Sequence, residues 1–551
     1  MKRIIFLLCC QVMAMVGHAQ GVVEVRFNGE SVEVNVPSDV QGVTWTASGA
    51  HVTITSSTTT TEYTYALSGE SDNGSLVLNG SYKLTLELRG LQLTNASNGA
   101  AIDIECGKRI AVVLADGTNN TLTDAPTGTQ KAALYFKGHP EFKGAGTLNV
   151  TGRLKHAISA KEYIELKKTT GCINILGAVG DGIHCGKGKP DGENNYFLMN
   201  GGTVDITQVG DDGIDADDYG AIRINGGALA VNVGDAATAL KGDSIVAIAG
   251  GVVSLAVSGE GSKGICACHT VEITGGDLSI VVTGNGSKAI MGEKGGEGAT
   301  VANGGFVSIS GGKTILHVLG EGMDDGTGNV SPCVGMAAGN DISLRGGEVT
   351  IVALGKETTP IVADAAYLVE GCNLSIERTP WKADILDCPY DMTLYVVVEA
   401  DGSRLDDYAN KAVGAFIDGV CVGYGVFGTT DFGTIRVWSH DTSARKLTFK
   451  VYDYETLTEY EAVADSDIFF SSMSHAGTPG SPVVLNYQPH GLLGDVNLDG
   501  DVNVTDVMLM VDYILLHSTN HFYLPNADMD DSHDVNVTDV MLVVAIVLGN
   551  N

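Results

Sequence analysis

Through the middle of the chain, apolar and polar residues alternate in short runs, and a Gly-Gly pair precedes each run. The pairs fall at Gly201-Gly202, Gly226-Gly227, Gly250-Gly251 and Gly275-Gly276, in steps of 25, 24 and 25 residues. Two more, Gly311-Gly312 and Gly346-Gly347, follow at longer steps that leave room for inserted loops. An alternating strand follows each of the first four, at 203–206, 228–231, 252–255 and 277–280. Each of these strands runs into a glycine turn: Gly210-Asp211, Gly234-Asp235, Gly259-Glu260 and Gly284-Asn285. Short apolar strands at 221–224 and 270–273 fill the remainder of the period, and no helical periodicity intervenes. A unit this small buries its apolar face only by stacking on its neighbours, so the pattern predicts a parallel β-helix solenoid. Looser strands at 76–78, 84–88, 101–104, 110–114, 134–136, 147–150 and 163–166 extend it backward. The expected solenoid covers 60–376, with 20–59 as an N-terminal β cap.

Equivalent residues of adjacent coils stack about 4.8 Å apart. Aligning the glycine turns places Asp181, Asp212, Thr238, Lys263 and Lys288 in one slot, and Gly180, Asp211, Asp235, Glu260 and Asn285 in the slot beside it. Asp215, Asp217, Asp218 and Asp243 lie nearby. Stacked carboxylates repel by about 1 kcal/mol in water and about 3–4 kcal/mol at an effective dielectric near 20. Calcium would reverse that sign and suits oxygen-only ligands; a solvated acidic edge is the alternative. The expectation is that Asp181, Asp211, Asp212 and Asp235 hold Ca2+. Lys263 and Lys288 would then pair with carboxylates of a bound ligand as point charges, or simply relieve repulsion along the ladder.

Beyond residue 388 the glycine rhythm stops. Strands are expected at 393–399, 413–417, 434–438, 447–452 and 466–470, which suggests a β-sandwich over 388–470. The stretch 413–423 resembles a module found beside adhesion or secretion domains in Bacteroidetes surface proteins. Residues 471–491, rich in Ser, Gly, Pro and His, are expected to be a linker.

Two related loops close the chain. In the first, Asp495, Asn497, Asp499, Asn503 and Asp506 put oxygen donors at loop positions 1, 3, 5, 9 and 12. Gly500 stands at the sharp sixth position, and Asp501 offers its carbonyl at the seventh. Thirty-three residues later Asp528, Asp530, Ser532, Asp534, Asn536 and Asp539 repeat the arrangement. His533 replaces the glycine there, and weaker binding is expected for that reason. Apolar helices are expected at 507–516 and 540–548. Each loop ends in Asp, and no helix leads into either. The pair resembles a type I dockerin over 492–551. That resemblance implies Ca2+ in both loops and a cohesin-bearing partner recognised through Val504, Thr505, Val537 and Thr538.

The 551 residues carry 66 acidic and 33 basic side chains, a formal charge of −33, which excludes the basic footprint that nucleic acid requires. Hydrophobic content of 44% excludes a largely disordered chain. Residues 1–19 have the basic start, apolar stretch and small final residue of a secretory signal, with cleavage expected after Ala19. Lipidation at Cys9 or Cys10 is an alternative, but Leu8 and Cys9 precede them where small residues are usual. No run is long and apolar enough for a comfortable transmembrane helix. Nine of the 11 cysteines follow the signal, an odd number for an exported chain. None forms a CxxC pair, and most are expected to be small buried residues.

The run Leu134-Tyr135-Phe136-Lys137-Gly138, the segment Gly144-Ala145-Gly146-Thr147-Leu148, then Lys155-His156-Ala157-Ile158 and Gly180-Asp181-Gly182-Ile183 carry a family resemblance, as does Tyr65-Ala66-Leu67-Ser68-Gly69. They resemble the secreted carbohydrate-binding parallel β-helix proteins first recognised in a cellulose-degrading clostridium. Members are similar in fold to polysaccharide lyases and bind acidic plant polysaccharide, with calcium in the helix. The expected fold is therefore mainly β: a right-handed parallel β-helix, a small β-sandwich and a short all-α dockerin with two calcium loops. The resemblance implies non-catalytic binding of polygalacturonate-like or cellulosic polysaccharide, within polysaccharide catabolism. A calcium-dependent pectate-type lyase is the alternative, with Lys241, Lys263 or Lys288 as a base. A surface adhesin or structural spacer is the third. His156, His184 and His269 lie near turns and are assigned no chemistry.

Overall fold

The computed structural model describes residues 21–548 except 187–194, 295–303, 325, 327–328, 356, 378–379, 382, 384–387, 401–402, 406–410, 427–432, 454–457, 488–492, 498–500, 517–521, 523–525 and 531–534. The chain divides into two units between Glu377 and Arg378.

The first unit is built of coils with three short strands each. One coil comprises Ile214–Ala216, Ala221–Ile224 and Ala228–Val233, and the next Thr238–Gly242, Ile245–Ile248 and Val252–Val257. Every strand pairs parallel with its counterpart one coil on, so the three positions become three faces of a parallel β-solenoid. The first face is a thirteen-stranded sheet, and the other two merge into one of twenty strands. They merge because His139–Gly152, Ile164–Ala178, Phe306–Val318 and Ile342–Ala353 run unbroken through the corner, the last two across their own Gly-Gly pairs. Inward side chains stack in register. Ile214, Leu240, Ile265, Ile290 and Met336 form one column, and all are fully buried. Each such side chain contributes about 1.5–3 kcal/mol by leaving water, so the apolar alternation recurs with the coil.

The glycine pairs have two separate causes. The second glycine is left-handed, with φ of 86° at Gly202, 94° at Gly227, 88° at Gly251 and 82° at Gly276. The first lacks room: a Cβ on Gly250 would stand 2.7 Å from the Asn225 carbonyl oxygen of the preceding coil. Coil-type pairing begins inside the expected cap, since Val22–Asn28 pairs parallel with Thr64–Ser71, and Ala50–Ser56 with Gly74–Gly80. None of the nine cysteines from Cys106 onward is in a disulfide, and Cys388 lies 3.6 Å from the His440 ring. Cys106, Cys185, Cys266, Cys333 and Cys421 are buried.

In the second unit nine strands form one hydrogen-bonded sheet rather than two stacked ones. Gly423, in Val420–Val426, packs directly against the Arg436 backbone in Gly433–Ser439, so the sheet curls round its own core. Leu394, Val413, Ile435 and Phe449 lie in that core. Residues 466–470 are not a strand, although Ile468 and Phe470 are buried. The expected linker at 471–491 is also corrected. Ser474–Ala476 and Val483–Tyr487 both pair with Tyr390–Ala400, and Val483, Leu485 and Tyr487 are buried. Their alternating pattern was obscured by the flanking Ser, Gly and Pro.

The last segment holds helices α1 (Val504–Leu516) and α2 (Val537–Val547). Each starts three residues before the expected position because an asparagine precedes it. The Asn503 and Asn536 side chains accept from the amides of Thr505 and Thr538, both at 2.8 Å. Val496, Met510, Ala527, Val540 and Val543 make the small core beneath them. Among the described residues, no helix is long and apolar enough to cross a membrane.

Candidate functional site

The first-face strands carry two outward rows. In the first, Thr238, Lys263 and Lys288 are in register on successive coils. Asp212 accepts from the Thr238 amide at 2.8 Å, and Asp181 from the Asp212 amide at 3.3 Å. The expected slot from Asp181 to Lys288 therefore exists. The row beside it runs His184, Asp215, Lys241, Cys266 and Met291.

The second expected slot forms only over Asp235, Glu260 and Asn285, each three residues before its first-slot residue. Asp211 immediately precedes its slot residue, Asp212, whereas Asp235 stands three residues before Thr238. Asp235 instead accepts from the Glu260 amide at 3.0 Å, and Asn285 from the Glu321 amide at 2.9 Å. Asp211 and Asp235 are both exposed and do not join the Asp181 cluster. Two extra turn residues in the later coils, invisible to alignment on glycine, separate them.

Histidines and a lysine take their place. Asp181 Oδ2 lies 3.0 Å from both His156 Nδ1 and His184 Nδ1. His184 also reaches Asp215 at 3.3 Å. Lys241 Nζ stands 2.7 Å from Asp212 and 3.5 Å from Asp215. His156, Asp181, Asp212 and Asp215 are at most 5% exposed. Burial opposes charge on His184, yet Asp181 and Asp215 raise its pKa to about 9. Burial pulls His156 below its ordinary value despite Asp181. Burial acts to raise the Asp181 pKa, but the two imidazoles outweigh it and hold the carboxyl well below the usual range. Burial raises Asp212 to about 6, against the pull of Lys241 and with the push of Asp215. The histidine signal was present in the sequence: His156 and Asp181 share one register position, and His184 follows Asp181 by three residues.

Lys263 and Lys288 are half-buried, and among the described residues no carboxylate forms an ion pair with either. Burial and the adjacent Lys263 lower the Lys288 pKa from its ordinary value. Two further features were missed in the sequence. Tyr163 stacks on His139 and Tyr196, with centroids 4.5 and 4.6 Å apart. Arg223 lies over Tyr196. The stacked rings present edges rather than free faces. At the corner leading into the first face, Arg153, Val179, Gln208, Asn232 and Ser258 line an open groove of about 650 Å3. It is lined largely by turn residues, which carry no periodic signal.

In the C-terminal loops, Asp506 accepts from the amides of Val496 and Asn503, both at 2.9 Å. Asp539 accepts from those of Met529 and Asn536, both at 2.8 Å. Oxygen atoms of Asp528, Asp530 and Asp539 lie within 4.8 Å of one another. Asn526 ties the loops together by donating to the Asp495 carbonyl at 2.7 Å. Asp499, Gly500, Ser532, His533 and Asp534 lie outside the described residues. The convergent oxygen donors fit a hard cation such as Ca2+. Val504 and Val537 are 62% and 65% exposed, and Thr505 and Thr538 are exposed beside them.

A parallel β-solenoid followed by a curled sheet and two loop–helix repeats defines a modular protein whose last segment carries paired acidic loops. The family model for carbohydrate-binding domain-containing proteins matches residues 48–379, over half of the chain, and the chain belongs to that family. The type I dockerin domain matches residues 493–548. No curated protein matches the chain. Among solved structures, the polysaccharide lyase-like protein from C. thermocellum, a gadolinium derivative, is 24% identical. The match covers 46% of this chain and 96% of that one, with a TM-score of 0.38.

Proposed function

We propose that this chain is a secreted, non-catalytic component of polysaccharide breakdown. Its solenoid binds an acidic or plant-type polysaccharide, and its dockerin attaches it to a cohesin-bearing partner. In this reading residues 1–19 are a signal peptide, the coils wind right-handed, and Ca2+ occupies the two C-terminal loops. Asp495, Asn497, Asp501, Asn503 and Asp506 hold it in the first loop, and Asp528, Asp530, Asn536 and Asp539 in the second.

The observation that carries the glycan assignment is the register of Lys263 on Lys288. Two ammonium groups about one coil apart, half-buried and unpaired among the described residues, repel each other in a chain of charge −33. A polymer with carboxylates along one edge relieves that repulsion. The groove at the corner leading into the first face is lined by residues of several successive coils, from Arg153 to Ser258.

Affinity electrophoresis through polygalacturonate tests this. The full chain is expected to be retarded, and the Lys263→Ala/Lys288→Ala variant to migrate freely with its thermal transition unchanged. Equal retardation of both would remove the lysines, and no retardation of either would favour a spacer. One observation favours a lyase as the second reading: the lowered Lys288 pKa brings a neutral amine closer to working pH. Release of unsaturated, ultraviolet-absorbing product from polygalacturonate would establish it.

A further inference from the structure

We propose that His156, Asp181 and His184, with Asp215 as a fourth donor, form a site for a divalent metal of the zinc class on the first face of the solenoid. The donors converge from three successive coils. His156 Nδ1 and His184 Nδ1 each stand 3.0 Å from Asp181 Oδ2, and the two rings lie parallel within 6° at a centroid distance of 4.3 Å. Asp215 Oδ2 is 3.3 Å from His184 Nδ1. Metal–ligand bonds of about 2.0–2.2 Å place neighbouring donors about 3.0–3.5 Å apart. The two Asp181–imidazole spacings and the His184–Asp215 spacing fall in that range, and the parallel rings must turn towards each other for both lone pairs to meet on one ion.

Hydrogen bonding alone leaves the cluster unsatisfied. His156 Nδ1 stands 3.2 Å from the Asp181 amide and 3.0 Å from its carboxylate, so in either tautomer one of the two contacts is left without a hydrogen bond. Asp215 is 5% exposed, and no hydrogen bond reaches its Oδ1. The charges also fail to close. Asp181, Asp212 and Asp215 bring three negative charges into the interior, and Lys241 and the His184 imidazolium answer two of them. A divalent cation in place of the His184 proton supplies the missing charge, where one buried carboxylate otherwise stands uncompensated. Two imidazole donors distinguish the site from a calcium centre, which takes oxygen ligands. They suit zinc and its neighbours. The site is independent of the glycan reading, which rests on lysines of later coils.

The test uses the full chain, stripped with chelator and resupplied with Ca2+ for the C-terminal loops, then titrated with Co2+ as a spectroscopic probe. The expected result is one tightly held equivalent with weak visible bands and no thiolate charge-transfer absorption. His184→Gln and Asp181→Asn are expected to weaken uptake by about 100-fold. Intense near-ultraviolet absorption would assign the metal to thiols and overturn the proposal. So would displacement of Co2+ by excess Ca2+, unchanged uptake in both variants, or no uptake by the wild type. The wild-type spectrum decides the donor type even if a variant fails to fold. Polygalacturonate retention is measured without transition metal, so the two readings fail separately.

Discussion

Asp506 and Asp539 close their loops by the same geometry. Each carboxylate is fully buried and accepts backbone amides from both the start and the end of its own loop, at positions 33 residues apart in the chain. Each also ends a series of oxygen donors whose mutual repulsion a cation removes. Chelation is therefore expected to melt α1 and α2 and leave the solenoid intact. Limited proteolysis of the full chain should then cut within 492–551, and added Ca2+ should restore protection. Asp506→Ala, which strands several amides, should cost that domain about 2–4 kcal/mol. A cleavage pattern indifferent to chelator would remove calcium from the loops.

The exposed pairs Val504-Thr505 and Val537-Thr538 open α1 and α2 at equivalent positions. Two like surfaces permit docking in two orientations. Replacing either pair with charged residues should weaken cohesin binding by no more than about twofold, the statistical term for losing one of two equal modes. Replacing both should abolish it. Calorimetric titration with a type I cohesin checks this, and a large loss from one pair alone would show that a single surface is used.

The repeat was legible because the coil imposes two constraints at once: a left-handed residue and a close backbone approach, which only Gly-Gly satisfies. The Asp181–Lys288 slot was legible because each of its residues stands two before the inward apolar residue of its strand, from Ile183 to Ile290. Asp235 was misplaced because glycine alignment does not count residues between turn and strand. The His156–Asp181–His184 cluster was missed because its members come from two coils, and each histidine alone reads as structural. Val483–Tyr487 was hidden because five residues of strand were flanked by the composition of a linker.

Gly227 and Gly234 provide a matched pair for testing the corner constraint. At Gly227 φ is 94°, and a Cβ would stand 2.6 Å from the Gly202 carbonyl oxygen. At Gly234 no heavy atom lies within 4 Å of an added Cβ. Gly227→Ala should cost about 2–4 kcal/mol, combining left-handed strain with overpacking. Gly234→Ala should be neutral or stabilise by about 0.4–1 kcal/mol, because it restricts the unfolded chain. Denaturant unfolding of the two variants measures both, and equal effects would refute the separate roles assigned to the two turns.

Tyr135 pairs in register with Asp103 on the preceding coil. Burial, then the charges of Glu105 and Asp103, push its phenol up to about 12. The unfolded value is about 10. Between those limits the unfolded chain gives up the proton and the folded chain keeps it. The contribution is therefore complete below about pH 10 and is lost as pH rises towards about 12. Tyr163 and Tyr196 shift in the same direction, for burial and nearby carboxylates. Denaturation midpoints should fall across this window, and tyrosinate absorbance should appear later than for free tyrosine. Tyr135→Phe removes one titrating group, so its midpoint should fall less steeply than that of the wild type. Parallel profiles for the two proteins would mean that Tyr135 ionises freely in the folded chain, and that Asp103 and Glu105 do not govern it.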